Sequence, residues 1–279
     1  MDASTEHVTL IRPRHGWGSL DLAEIWKFRE LTVMLALREI KVRYKQTLLG
    51  ATWAILQPLA AMVVFTLFFG KLAGLEHHVG EAPYPLFSFA GVVLWTYFSH
   101  AVSSGSNSVV EYRTVLTKVY FPRAILPLTP VLSGLVDFAF SMVVFFILSW
   151  VYSVPLTWNL LWIPAFVLLA MGTAVSVSLW FAALNAHFRD FRYVVPFLLQ
   201  LWLFATPIVY SSSLVPPEWR AWYGLNPMAG AIEGFRWSIL GTGAPPGPLI
   251  GVSAAAVTLL LVGGFMVFRR LERTFVDVV

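Results

Sequence analysis

FAFSMVVFFILSWVYSVPLTWNLLWIPAFVLLAMGTAVSVSLWFAALNAHF, residues 138–188, runs for 51 residues without an Asp, Glu, Lys or Arg. About 20 apolar residues at 1.5 Å each carry a helix across ~30 Å of hydrocarbon, so this stretch is too long for one crossing. It breaks at Ser153-Val154-Pro155 through Asn159. With the apolar run from Ala124 it predicts a helical hairpin of spans near 125–151 and 160–184. The uncharged windows 46–70, 82–110, 193–217 and 237–268 also exceed crossing length and give spans near 51–70, 86–109, 194–211 and 248–268. The expected fold is an all-α membrane protein with six transmembrane helices over 51–268.

The composition agrees: 58% of residues are hydrophobic and 12% charged, with mean hydropathy +0.72, outside the soluble range. Of the 19 Lys and Arg, 8 lie in 1–50, 3 in 111–124, 2 in 185–193 and 3 in 269–279, leaving Lys71, Arg220 and Arg236 in intervening polar segments. Cytoplasmic loops keep Lys and Arg, so this alternation predicts six spans with both termini cytoplasmic. Charges scattered over membrane ends do not form the basic face that nucleic acid requires. The absence of cysteine excludes thiolate metal sites, disulfides and thiol chemistry. The polar tail 1–20 has no apolar core, and no signal peptide is expected.

Residues 21–50 read as an amphipathic helix lying at the membrane surface. Val33, Leu37, Ile40 and Tyr44 form an apolar stripe, and Arg38, Lys41 and Lys45 a basic face opposite it, the pattern of an interfacial helix. Residues 111–122 predict a short amphipathic helix ended by Pro122, 185–193 a tight cytoplasmic turn, and 269–279 a cytoplasmic tail. Within 212–247, Pro216-Pro217 and Asn226-Pro227 open two short helices. Both are too short to cross, and with their aromatic residues they suggest a re-entrant element over 213–240.

Asp137 is the one carboxylate well inside an expected span. A membrane-embedded carboxylate is a functional candidate by default; the plainer reading is a structural Asp bonded to a neighbouring helix or lying near an interface. No second intramembrane carboxylate or basic partner is visible for it, which argues against a proton pump. His77 and His78 are adjacent in a loop and lack further ligands, so no metal site is expected. His100 is the only histidine in a span, and nothing in the sequence links it to Asp137. Glu233 and Arg236, i and i+3 on a helix, are either a surface ion pair or, in an apolar re-entrant element, a latch. Trp53, Trp95, Trp150 and Trp158 suit interfacial belts. Phe65, Phe68, Phe197, Trp202 and Phe204 lie deeper, and either pack or face lipid, or line a path on which sugar C–H faces stack. No Gly-x-x-x-x-Gly-Lys-Ser/Thr loop is present, so the chain holds no ATP site of that kind.

Three stretches together resemble the membrane subunits of ATP-binding-cassette exporters that move polysaccharides such as O-antigen, teichoic acid and capsule. They are Arg43-Tyr44-Lys45-Gln46-Thr47-Leu48-Leu49-Gly50-Ala51-Thr52-Trp53 with Gln57-Pro58; Phe188-Arg189-Asp190-Phe191-Arg192-Tyr193 through Pro196 to Thr206-Pro207-Ile208-Val209-Tyr210; and Leu225-Asn226-Pro227-Met228 with Glu233-Gly234-Phe235-Arg236. The match in order spans roughly residues 20–270. The resemblance implies a homodimer in the bacterial inner membrane with two separate ATPase subunits, which bind the ATP and Mg; no cofactor is expected in this chain. It implies a polyprenyl-diphosphate-linked polysaccharide as substrate, with Arg38, Lys41, Arg43, Lys45, Arg189 and Arg192 near the diphosphate at the entrance. Spans one and five would line a channel through Trp53, Phe65, Phe68, Phe197, Trp202, Phe204 and Tyr210. Trp219, Trp222, Tyr223, Glu233 and Arg236 would form its outer gate, and Glu111, Tyr112, Arg113, Lys118, Tyr120 and Asp190 the coupling surface for the ATPase. Two other readings stand beside it: the same architecture exporting a drug or small lipid, and a membrane enzyme acting on polyprenyl-linked sugars through Asp137 or Asp190.

Overall fold

A computed structural model describes residues 22–45, 50, 52–116, 118–243, 245 and 247–275. Residues 1–21, 46–49 and 276–279 lie outside the described residues. Every regular element among those described is helical. The surface segment is α1 (Leu22–Lys27) and α2 (Arg29–Lys45), separated at Phe28. α3 (Thr52–Phe65) continues as a π-helix over Thr66–Leu72, and α4 (Tyr84–Glu111) follows. After the single turn α5 (Arg113–Leu116) come α6 (Ile125–Val151) and α7 (Ile163–His187), the latter preceded by a 3₁₀ turn at Trp158–Trp162. α8 (Phe191–Phe204), α9 (Pro217–Tyr223), α10 (Pro227–Leu240) and α11 (Pro248–Leu271) complete the chain, with a last 3₁₀ turn at Glu272–Thr274.

Among the described residues, five helical stretches are long and apolar enough to cross a membrane: Thr52–Leu72, Tyr84–Glu111, Ile125–Val151, Trp158–His187 and Pro248–Leu271. Where a fifth span is expected over 194–211, the structure has a shorter apolar helix, Phe191–Phe204. α8 has only 14 residues, about 21 Å of helix, and ends at Phe204. Pro207 offers no N–H to prolong the ladder and disfavours helix in the residue before it. The Thr206 hydroxyl instead donates to the Trp202 carbonyl at 2.7 Å. The helix expected over 111–122 also shrinks. α4 runs on to Glu111, only Arg113–Leu116 is helical, and the chain then turns to reach Ile125. Polar groups of that turn reach neighbouring elements: Tyr120 Oη donates to Glu24 Oε1 at 3.3 Å, and Arg123 to the Glu272 carbonyl.

α4 is central and the most buried of these five long helices, packed on α3, α6, α7, α8 and α10. Lipid offers no hydrophobic drive between helices, so close packing and interhelical hydrogen bonds carry association. Tyr97 Oη donates to the Val131 carbonyl at 3.0 Å. Asn185 Nδ2 donates to the Ser106 carbonyl and to Asn107 Oδ1, both at 3.0 Å. A Cβ on Gly105 would lie 2.5 Å from Ser178 Oγ, so glycine sets the α4–α7 approach there. Trp95, expected in an interfacial belt, is buried and packs against Phe98 and Trp202. Trp150 and Trp158 are exposed at the ends of their helices, as expected of belt residues.

α2 has three faces rather than two. Thr32, Leu35 and Ala36 are buried, and the helix packs on α6. Val33 and Leu37 point outward, and Arg38, Lys41 and Lys45 are exposed on a third side. The stripe is therefore divided: Val33 and Leu37 keep an apolar surface of their own, whereas Tyr44 packs edge-on against Phe140 of α6. At one end of the bundle the described parts of the four basic clusters come together. Arg269 pairs with Glu24 at 3.9 Å, and His187 Nε2 meets Thr274 Oγ1 at 2.8 Å. Phe275 is buried on Phe268 and His187.

Candidate functional site

Two polar centres sit in otherwise apolar surroundings. The first joins α2 to α6. Asp137 accepts hydrogen bonds from both Arg43 and Tyr44. Arg43 also pairs with Glu39 at 3.4 Å and approaches Ser133 Oγ at 3.5 Å. Glu39 and Arg43 are i, i+4 on α2, as Ser133 and Asp137 are on α6, so two polar helix faces mate. Asp137 thus has the basic partner that the sequence pattern did not reveal, 94 positions earlier, and it is bonded to a neighbouring helix. Burial holds the Glu39 carboxyl above the usual carboxylate range despite the nearby Arg43 guanidinium.

Beside this pair lies a cavity of about 260 Å³ between the end of α2, the start of α3, α4 and α6. Arg43, Tyr44, Trp53, Gln57, His100 and Asp137 are among its lining residues. The structure therefore places His100 and Asp137 on one cavity. The buried Nδ1 of His100 has no protein hydrogen-bond partner. Asp137 and His100 each stood out in the sequence, but spacing carried no signal for their grouping, since the lining residues come from four elements distant in the chain.

The second centre is Arg236 on α10, which is only 3% exposed. Its guanidinium donates to the carbonyls of Phe87 at 3.1 Å, Pro207 at 2.5 Å and Tyr210 at 3.4 Å, and also to that of Ile208. It lies 3.7 Å from the centre of the Phe87 ring and 3.7 Å from Glu233 Oε1. Glu233 in turn accepts from the Ser212 amide at 2.8 Å, and Tyr84 Oη donates to the Val209 carbonyl at 2.7 Å. Non-helical backbone away from water must find partners within the protein. Arg236, Glu233 and Tyr84 supply them to residues 207–212. Gly91 makes the room: a Cβ there would run into the Arg236 guanidinium and lie 3.1 Å from the Ile208 carbonyl oxygen.

Asn226 works on the same segment. Its Oδ1 caps the Met228 amide at 3.1 Å and accepts from Trp202 Nε1 at 2.8 Å. Its Nδ2 donates to the Ala205 carbonyl and Thr206 Oγ1, both at 3.0 Å. Tyr223 Oη donates to the Ala205 carbonyl at 2.9 Å and lies 2.7 Å from Tyr210 Oη. The reading of Asn226-Pro227 as a helix start is correct, yet it captured only one of the four Asn226 contacts.

The expected lining aromatics separate into two groups. Trp53, Phe68, Phe197 and Phe204 are exposed, on α3, its π-helical extension and α8. Trp202 is half-buried, edge-on to Phe98 with ring centres 5.2 Å apart; Phe65 packs on Phe69, and Tyr210 is held by Tyr223. Trp219 and Trp222 are exposed on α9. Among the expected entrance cations, Arg38, Lys41, Lys45, Arg189 and Arg192 are exposed, whereas Arg43 is engaged by Asp137. Of the expected coupling residues, Glu111, Lys118, Tyr120 and Asp190 are exposed, and Tyr112 lies beneath the Arg38 guanidinium at 5.8 Å. Arg113 is exposed on α5. Among the described residues no His, Asp and Glu cluster could hold a metal ion.

Comparison with known proteins adds relatives to this geometry. The family described as ABC-2 type transporter matches residues 30–240. The chain is similar to the O-antigen export system permease protein RfbA of Myxococcus xanthus, 32% identical over 240 residues, covering 85% of this chain and 91% of that protein. It is 27% identical over 252 residues to the O-antigen export system permease protein RfbA of Klebsiella pneumoniae, covering 89% and 95%. It is 23% identical over 252 residues to the polysialic acid transport protein KpsM of Escherichia coli, covering 85% and 92%.

Proposed function

The chain belongs to the ABC-2 type transporter family, and from that premise we propose that it is the permease of an exporter moving a polyprenyl-diphosphate-linked, O-antigen-like polysaccharide across the bacterial inner membrane. As a multi-pass membrane subunit of this family it is a transport component, working with an ATPase partner. Two ATPase subunits would bind ATP and Mg, and two copies of this chain would form the channel. The observation that carries the glycan reading is the similarity to an O-antigen export permease across most of both chains.

The structure supplies physical support. Basic residues from all four clusters gather at one end of the bundle, which by the positive-inside rule is cytoplasmic. In this scheme α8 and the following non-helical stretch, buried over 206–209, together make the sixth crossing. Phe68, Phe197 and Phe204 present rings outward from the elements that would line the path, and aromatic faces suit the C–H faces of sugars. Exposed Arg38, Lys41, Lys45, Arg189 and Arg192 would attract the diphosphate, whose oxygens favour charge-assisted hydrogen bonds. The ATPase would dock where Glu111, Tyr112, Arg113, Lys118, Tyr120 and Asp190 lie, and its cycle would shift the permease between closed and open populations.

The test is affinity purification of the full chain from native membranes together with its deletion in the source organism. Co-purification of an ATP-binding-cassette ATPase and loss of one surface polysaccharide are expected. Loss of drug resistance with intact surface glycan would replace the glycan reading. Catalytic turnover of lipid-linked sugar without an ATPase, abolished by Asp137→Asn, would replace the transport reading.

A further inference from the structure

We propose that the cavity beside Asp137 is a binding subsite for a single uncharged sugar ring, the one nearest the lipid carrier; this rests on the glycan reading above. At about 260 Å³ the cavity is just smaller than the sites of drug-sized ligands, which run from about 300 to 1,000 Å³. It has room for one ring with its hydroxyls.

Its lining has the two chemistries that a pyranose presents. Trp53, Tyr97 and Phe138 offer aromatic surface for C–H faces. Gln57, Thr96, His100, Asp137 and Ser141 offer polar atoms for hydroxyls. The His100 Nδ1 is buried without a protein partner, and an unmet polar group of this kind has a cost that a bound hydroxyl removes. Asp137 has two oxygens with about four acceptor positions, of which Arg43 and Tyr44 each take one. Charge argues against an anion. Among the described residues, the only Lys or Arg lining the cavity is Arg43, already matched by Asp137 and flanked by Glu39. A diphosphate would meet no net positive field there. Gly50, at the corner between α2 and α3, also lines the cavity, so it adjoins the surface where the exposed basic residues of α2 would receive the diphosphate. A carrier held there would set its first sugar beside the opening.

The test is saturation-transfer NMR on the full chain with its ATPase in nanodiscs, using free glucose, galactose, mannose and N-acetylglucosamine at millimolar concentrations. Phosphorus NMR of inorganic pyrophosphate runs in parallel. At least one sugar should saturate. His100→Leu should weaken it about fivefold, the affinity that one hydrogen bond carries. Ser141→Leu should abolish binding by filling the space, His100→Gln should retain part of it, and Trp150→Ala, at the far end of α6, should leave it unchanged. No saturable sugar signal from correctly melting protein overturns the proposal. So does displacement of the sugar by pyrophosphate, or an unchanged signal in the His100 and Ser141 variants. Glycan export measured in the same strain separates the two readings. Intact export without sugar binding sinks only the subsite, and sugar binding without any glycan export sinks only the export reading.

Discussion

Arg236→Met tests whether one side chain holds the broken end of α8. The guanidinium serves four backbone carbonyls and faces Glu233 from a site closed to solvent. Removing one partner of a buried ion pair costs about 3–5 kcal/mol. The lost carbonyl contacts belong to the same network and do not add separately, so about 4 kcal/mol is expected for the whole change. For a large domain each kcal/mol moves Tm by roughly 2 °C, which gives a fall of about 8 °C in purified protein. Lysine keeps the charge but lacks the planar fork, so Arg236→Lys should lose about half as much. A local readout separates release of the segment from general loosening. The chain has no cysteine, so Val209→Cys provides a single thiol in the segment that Arg236 holds. Tenfold in an opening equilibrium corresponds to about 1.4 kcal/mol. Maleimide labelling at that thiol should therefore speed up more than tenfold when Arg236→Met is added. A melting point within about 2 °C of the parent, with the thiol still protected, would refute the reasoning.

Removing the Arg43–Asp137 pair as a whole should be gentler than breaking it, because the lone survivor is what a buried site tolerates least. Asp137→Leu alone should lower Tm by several degrees, and adding Arg43→Met should recover part of the loss; additive losses would count against the pairing. Phe197→Ala should cut glycan flux while leaving assembly with the ATPase intact, since its ring is exposed. Trp202→Ala should instead impair assembly and melting, because its ring packs on Phe98 and its indole N–H bonds Asn226; equal behaviour of the two would contradict this division. Leu37→Asp should reduce export by unseating α2 from the membrane surface, and normal export would contradict that placement. Burial raises the Glu39 carboxyl above 4.5, so the folded protein holds this proton more tightly than the unfolded chain. Stability should therefore fall as pH rises from 4.5 through the folded value. Glu39→Gln should remove that part of the slope in a Tm series, and an unchanged slope would refute the assignment.

Features with local causes were readable from the chain. Span length and loop charge are properties of contiguous residues, so the hairpin broken at Ser153 and the convergence of basic ends follow from sequence. Ser153 is the one described non-glycine residue with positive φ, 55°, at the break that the sequence indicated. Asn226-Pro227 likewise announced α10. What escaped depends on partners distant in sequence. An apolar run past Val194 looks continuous to Tyr210, yet Pro207 ends the helix, and Arg236 and Tyr84 make the exit tolerable by satisfying the freed carbonyls. The ion pair at Asp137 required two helix faces to meet across 94 positions, and the cavity required four elements. Trp95 has the composition of a belt residue but the environment of a core residue, because α4 lies at the centre of the bundle.

The central claim is that this chain, driven by an ATPase, moves a lipid-linked glycan through the membrane. Its most direct test is reconstitution of the full chain with its co-purified ATPase in proteoliposomes, following transfer of a fluorescent polyprenyl-diphosphate-linked glycan between leaflets. ATP-dependent transfer that stops when ATP hydrolysis is blocked is the expected result. Transfer indifferent to ATP, or ATP hydrolysis with no glycan movement while another lipid is moved, would contradict it.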